Sequence, residues 1–229
     1  MTDADEIRRE YARRDAVIDP ERYSLRGPAN ALVRRERERA MLAALARRGS
    51  PTPAGLDILE VGCGTGGEIE MLLGLGAEPA RVHGIDLRPE AIAVARERVP
   101  GAQLVVGDAI ALPYLDASFD LVLQSTAFSS MRSGSMRERV AAEMRRVVRS
   151  GGVIVSYDFV WNPLNRATVG IGKDELLRLF PGWPIELHRV TLAPPLGRWA
   201  EKRSLRLLRV LAAVPALRSH LIAFIDVPV

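Results

Sequence analysis

"ILEVGCGTGGEIE", residues 58–70, is a short apolar run that breaks into glycines and resumes in a helix-compatible pattern. A strand that ends in a tight glycine turn and opens a helix is the start of a nucleotide-binding α/β unit, because the turn presents backbone N–H groups to the ligand. Two glycine registers fit the same stretch. Gly62, Gly64 and Gly67 satisfy G-x-G-x-x-G, the dinucleotide fingerprint. Gly62, Gly64 and Gly66, with Glu60 two residues ahead, form an acidic E-x-G-x-G-x-G loop. The glycines alone do not choose between ligands.

Outward from this loop, short apolar runs alternate with helical segments. "LDILEVG", "ARVHGIDL", "AQLVVGDA", "FDLVLQST" and "GVIVSYDFV" read as strands. "GEIEMLLGLGA", "RPEAIAVARERVPG" and "SMRERVAAEMRRVVRSGG" read as the helices between them. Such alternation predicts right-handed βαβ units and a doubly wound, mostly parallel sheet with helices on both faces. Ligands of such sheets bind at the carboxyl ends of the strands. Glu60, Asp86, Asp108, Gln124 and Asp158 all lie at such ends in this reading.

Three features separate the two ligand classes. A carboxylate at Glu60 repels a pyrophosphate and favours an ammonium or sulfonium. Asp108, closing "VVGDA", is placed to accept from an adenine amino group. No Lys or Arg stands in or just after the glycine loop to meet a phosphate. Asp86 suits a ribose diol in either case. The balance favours a cationic, phosphate-free nucleoside over NAD.

"ILEVGCGTGG", "GIDLRPEAIAVAR", "VVGDAIALPYLDASFDLVLQS" and "EMRRVVRSGGVIVSYDF" together resemble the successive motifs of class I S-adenosylmethionine-dependent methyltransferases acting on small molecules and lipids. The resemblance covers roughly residues 55–160. It implies a Rossmann-like, seven-stranded sheet whose last strand is antiparallel, and S-adenosyl-L-methionine as cofactor, with S-adenosyl-L-homocysteine as product. It places Glu60, Gly62, Gly64 and Gly66 around the methionine moiety, Asp86 on the ribose hydroxyls and Leu87 beside the adenine. Asp108 and Ala109 meet the adenine edge, and the backbone carbonyl of Gln124 meets the ammonium. Many relatives read S-x-x-x-H-H after the fourth strand, whereas this chain has "QSTAFSSM", so no histidine base carries over.

Asp158 is therefore the candidate catalytic residue, expected to face the acceptor. Asn162 and Arg166 are candidates for a polar or anionic substrate, with Asn165 between them. Tyr23 and Arg26 are candidates to close over the cofactor. No metal site is expected. The leading expectation is O-methylation of a small natural product, sugar or lipid-linked acceptor by in-line displacement. The alternatives are C- or N-methylation of a quinone, polyketide or amine, a noncatalytic S-adenosylmethionine-binding protein, or an NAD-dependent oxidoreductase.

Of the chain's 229 residues, 48% are hydrophobic and 26% charged, ordinary values for a globular protein. The only cysteine, Cys63, lies inside the glycine loop, which excludes an internal disulfide and suits a reducing, cytoplasmic setting. The polar start "MTDADEIRREYARRD" does not read as a signal peptide. The apolar stretch 205–225 contains Arg206, Arg209, Pro215 and Arg218 and is not a membrane span. The net charge of +4 is concentrated after residue 160. That bias suits an anionic or lipid-linked acceptor, or peripheral contact with an anionic membrane. No basic–aromatic module for nucleic acid is visible. The expected organisation is an N-terminal helical cap (1–50), a cofactor-binding domain (51–192) and a C-terminal helical extension (193–229), in one globular unit.

Overall fold

A computed structural model describes residues 3–15, 25–161 and 168–228. Seven strands form one sheet: β1 (Ile58–Val61), β2 (Val82–Asp86), β3 (Gln103–Val106), β4 (Phe119–Ser125), β5 (Val148–Phe159), β6 (Ile185–Leu192) and β7 (Arg218–Asp226). Their order across the sheet is β3-β2-β1-β4-β5-β7-β6. The first five pair in parallel, and β7 runs antiparallel between β5 and β6. The strand order reverses beside β1, which leaves a crevice at the carboxyl ends of the strands.

Strand β1 is buried along its whole length, as a central parallel strand covered on both faces must be. Alternation divides its side chains between two cores. On one face Ile58, Leu121 and Leu123 meet Met41, Ile69, Leu72 and Ile92. These four come from α2 (Pro28–Arg47), α3 (Gly67–Gly74) and α4 (Pro89–Arg98). On the other face Leu59, Val61 and Val122 meet Val140, Met144 and Leu176. Those come from α6 (Gly134–Val147) and α7 (Lys173–Leu179). Helix α6 shows why it forms. Ser133 caps it by accepting from Met136 N at 3.3 Å, and Met136, Val140, Met144 and Val147 recur on one buried side. Each fully buried aliphatic side chain of this kind contributes about 1.5–3 kcal/mol.

The N-terminal helices belong to the same body. Ala29 N donates to Glu201 at 2.8 Å, Thr191 N donates to Glu36 at 2.7 Å, and Arg48 pairs with Asp226 at 2.6 Å. Helix α1 (Asp3–Asp15) lies over the carboxyl ends of the strands, where Arg8 Nε donates to Leu87 O at 3.5 Å.

One expectation is corrected. Residues 193–229 are not a helical extension. Helices α8 (Pro194–Glu201) and α9 (Leu205–Ala213) lead into β7, which is an integral strand of the sheet. Pro215 opens a short turn after α9, and Ile222 to Ile225 are buried without a break. A continuous apolar run of that length fits a strand covered on both faces as well as it fits a helix.

Candidate active site

The loop after β1 is built from backbone. Gly62 N and Cys63 N both donate to Ile85 O, at 2.8 and 3.0 Å, which ties the end of β1 to the end of β2. Gly62 has φ +72°, and a Cβ there would stand 3.0 Å from the Ala127 Cβ. Both the left-handed backbone and the close approach require glycine. Gly64 and Gly66 also have positive φ.

Beside this loop lies a cleft with about 580 Å³ of empty space. Of the expected cofactor residues, Gly62, Asp86, Leu87, Asp108 and Ala109 line it. Glu60, Gly64, Gly66 and Gln124 do not reach its wall. The Asp86 carboxylate is held from two sides: Gly64 N donates to Oδ2 at 2.8 Å, and Arg88 N and Nε donate to Oδ1 at 3.0 and 3.3 Å. Asp108 Oδ1 accepts from Ile110 N at 3.1 Å, which fixes its turn.

Glu60 is 2% exposed and one carboxylate oxygen, Oε2, has no hydrogen-bond partner. Burial pushes its carboxyl well above the usual range, against the pull of the Arg37 guanidinium. Arg37, from α2, pairs with Glu68 of α3, lies 4.0 Å over the Tyr157 ring and donates to Ser125 Oγ at 3.4 Å. Burial lowers its own pKa.

Gln124 and Asp158 form a buried polar knot under the helical turn α5 (Ala127–Ser130). Gln124 Oε1 accepts from Ala127 N at 2.9 Å and Phe128 N at 3.3 Å. Its Nε2 donates to Ser156 Oγ at 2.6 Å and also to Asp158 Oδ2. Asp158 further accepts from Ser129 N at 2.9 Å and Ser156 Oγ at 3.0 Å. Asp158, the expected catalytic residue, therefore does not line the cleft. It is 1% exposed, lies within β5, and both of its oxygens are engaged. Burial raises its pKa from 3.8 to about 6, while these hydrogen bonds pull the other way.

The opposite wall of the cleft is formed by residues not expected from the sequence: Ile7 and Tyr11 of α1, Ser130, Met131 and Met136. Tyr11 Oη lies 3.0 Å from Ser130 Oγ, and the Arg88 guanidinium lies 4.1 Å from the Tyr11 ring. The available signal was Ile7 and Tyr11, four apart on an otherwise charged helix. Arg26 is exposed and does not line the cleft. Tyr23, Asn162, Asn165 and Arg166 lie outside the described residues. Among the described residues lining the cleft there is no histidine, and Arg88 is the one cation.

Residues 59–156 match the family model described as a methyltransferase domain. Over 113 residues the chain is 36% identical to 2-methyl-6-phytyl-1,4-hydroquinone methyltransferase of Synechocystis sp., covering 48% of this chain and 33% of that protein. Over 107 residues it is 38% identical to phthiotriol/phenolphthiotriol dimycocerosates methyltransferase 1 of Mycobacterium ulcerans, covering 46% and 38%. The chain spans less than half the length of these curated relatives. The solved structure of Haemonchus contortus phosphoethanolamine N-methyltransferase 1, with phosphoethanolamine and S-adenosylhomocysteine, has a TM-score of 0.70 at 15% identity. It covers 100% of this chain and 50% of that one, a likeness of fold.

Proposed function

We propose that this chain, whose residues 59–156 match a methyltransferase domain, is an S-adenosylmethionine-dependent methyltransferase of a small apolar acceptor bearing a phenol-type or alcohol hydroxyl, with transfer to oxygen. The observation that carries the reading is the asymmetry of the cleft. One wall holds Asp86 and Asp108; the other is apolar and sulfur-rich with one hydroxyl pair, Tyr11 and Ser130.

The residues present fit S-adenosylmethionine. Asp86 and Asp108 present carboxylates to the cleft, suited to a diol and an amine. Gly62 keeps the wall beside Asp86 bare of a side chain, which leaves room for a ligand to approach the backbone closely. Arg88, the lining cation, is turned onto Asp86 and the Tyr11 ring, an arrangement that does not invite a pyrophosphate. Bound there, S-adenosylmethionine supplies a methyl group already activated on a positive sulfur.

The protein's task is then alignment and exclusion of water. Gly62 and the turn beneath it hold one side, and α5, fixed from below by Gln124 and Asp158, holds the other. Ile7, Met131 and Met136 exclude water from the acceptor side. Tyr11 and Ser130 orient the acceptor hydroxyl. A phenol-type hydroxyl ionises without a strong base, which suits a wall without histidine. In this reading Asp158 is a positioning residue.

A second reading, transfer to a ring carbon, is favoured by the similarity to a hydroquinone methyltransferase. One experiment tests both. The protein is incubated with deuteromethyl-labelled S-adenosylmethionine and a short-chain alkyl hydroquinone, and the product is analysed by mass spectrometry before and after mild oxidation. An O-methyl ether is blocked from returning to the quinone, whereas a ring-methylated product is oxidised. No label in the hydroquinone or in a long-chain alcohol, with the cofactor bound, would contradict the acceptor class.

A further inference from the structure

Helices α8 and α9 bury one side against α2 and β6. Gly197, Ala200 and Leu208 face inward, in a small core with Ala29 and Leu192. Their outer side is unusual for this protein. Trp199, Leu205 and Val210 are 44%, 53% and 62% exposed, and Val214 is exposed beside them. Arg206, Arg209, Val210 and Ala213 have the spacing of one helix face. Lys202 and Arg203 fill the turn between the helices, and the Arg203 guanidinium lies 4.0 Å over the Trp199 ring.

Several exposed arginines outside this segment are matched to carboxylates, as Arg178 is to Glu138 and Glu175, and Arg149 to Asp57 and Asp120. Among the described residues, Lys202, Arg203, Arg206 and Arg209 have no acidic partner. The single acid of the segment, Glu201, is turned inward onto Ala29 N at 2.8 Å. An unmatched row of four cations interleaved with exposed apolar side chains complements an anionic, acyl-containing surface. A nucleic acid would satisfy the cations and leave Trp199, Leu205, Val210 and Val214 in water.

The location adds a second argument. Strand β6 runs in the direction of β5, since both are antiparallel to β7. Its end at Leu192 therefore lies on the same edge of the sheet as Gly62 and Asp86, and α8 starts two residues later. No described helix is long and apolar enough to cross a membrane, so contact would be by the helix face.

We propose that the outer face of α8 and α9 docks the protein on an anionic lipid bilayer, with Trp199, Leu205, Val210 and Val214 entering the interface and Lys202, Arg203, Arg206 and Arg209 meeting lipid headgroups. This surface is independent of which acceptor the cleft takes. The test is co-sedimentation of the full chain with vesicles of phosphatidylcholine and phosphatidylglycerol in equal parts, against vesicles of phosphatidylcholine alone. The protein partitions onto the anionic vesicles, leaves them at raised salt, and stays in solution with phosphatidylcholine. Arg206→Gln with Arg209→Gln weakens partition by about 30-fold, corresponding to ~1 kcal/mol for each charge near the surface. Trp199→Ser with Val210→Ser weakens it while keeping the salt dependence. Titration of each variant with S-adenosylhomocysteine and a thermal melt report that it is folded. Three results would overturn the proposal: no sedimentation with phosphatidylglycerol, folded variants that partition like the parent, or retention on duplex DNA without retention on vesicles. Failure of methyl transfer to the hydroquinone leaves the vesicle result standing, so the two readings fail separately.

Discussion

The two walls of the cleft are made in different ways. The Gly62, Asp86 and Asp108 wall is the edge of the sheet itself, with each residue within two positions of a strand end. The facing wall is assembled from α1, α5 and α6, and its Tyr11–Ser130 contact joins residues 119 apart in sequence. The first wall is set by local backbone geometry and tolerates little change. The second depends on tertiary packing, so substitutions there alter what the cleft accepts more than whether it holds a nucleoside.

The largest effect expected from breaking this contrast is at Gly62. Gly62→Val combines a left-handed backbone with a clash on Ala127 and lowers S-adenosylhomocysteine affinity by on the order of 100-fold, about 3 kcal/mol. Calorimetric titration measures it, and a thermal melt reports folding. Unchanged affinity would detach the loop from the site. Next is Asp86→Ala, which removes a carboxylate acceptor and weakens cofactor binding by about 1.5–3 kcal/mol. Such a loss on the facing wall would be unexpected.

Asp158→Asn turns one acceptor into a donor facing Ser129 N or Gln124 Nε2, and destabilises the fold by about 1–3 kcal/mol in urea unfolding. Turnover slows while cofactor affinity holds. The pH–rate profile keeps its shape, because Asp158 acts by supporting α5; loss of a step near pH 6 in the variant would instead restore Asp158 as a base.

On β7, His220 is buried between Tyr157 and Phe159, and burial lowers its pKa from 6.5 to about 3. Above pH 6.5 neither the folded nor the unfolded chain carries this proton. As pH falls below 6.5 the unfolded chain takes it up and the folded one does not, so stability is lost by about 1.4 kcal/mol per pH unit. His220→Phe flattens the acid limb by that amount. Asp158 titrates in both proteins and drops out of the difference. An equal slope in both would show His220 to be protonated in the fold. The smallest effect belongs to Tyr11→Phe, which removes a hydroxyl contact with Ser130. It changes KM for the acceptor by about 0.5–1.5 kcal/mol and leaves cofactor affinity unchanged.

The same division explains what could be read from the chain. The first five strands, Asp86 and Asp108 were legible because periodicity, glycine turns and strand ends are local properties. Strand β7 was not, because "LRSHLIAFI" carries an apolar run without the alternation that separates strand from helix. Asp158 was placed correctly at the end of β5, yet its surroundings depend on the pairing of Gln124 with Ser156 across β4 and β5. That register is not written in either segment alone. Tyr11 required knowing that α1 folds back over the strand ends.

The central claim is that the cleft holds S-adenosylmethionine rather than a dinucleotide. Calorimetric titration of the protein with S-adenosylmethionine, S-adenosylhomocysteine and NAD tests it most directly. Saturable binding of both S-adenosyl compounds with no heat from NAD is the predicted result; binding of NAD with no response to either S-adenosyl compound would contradict it.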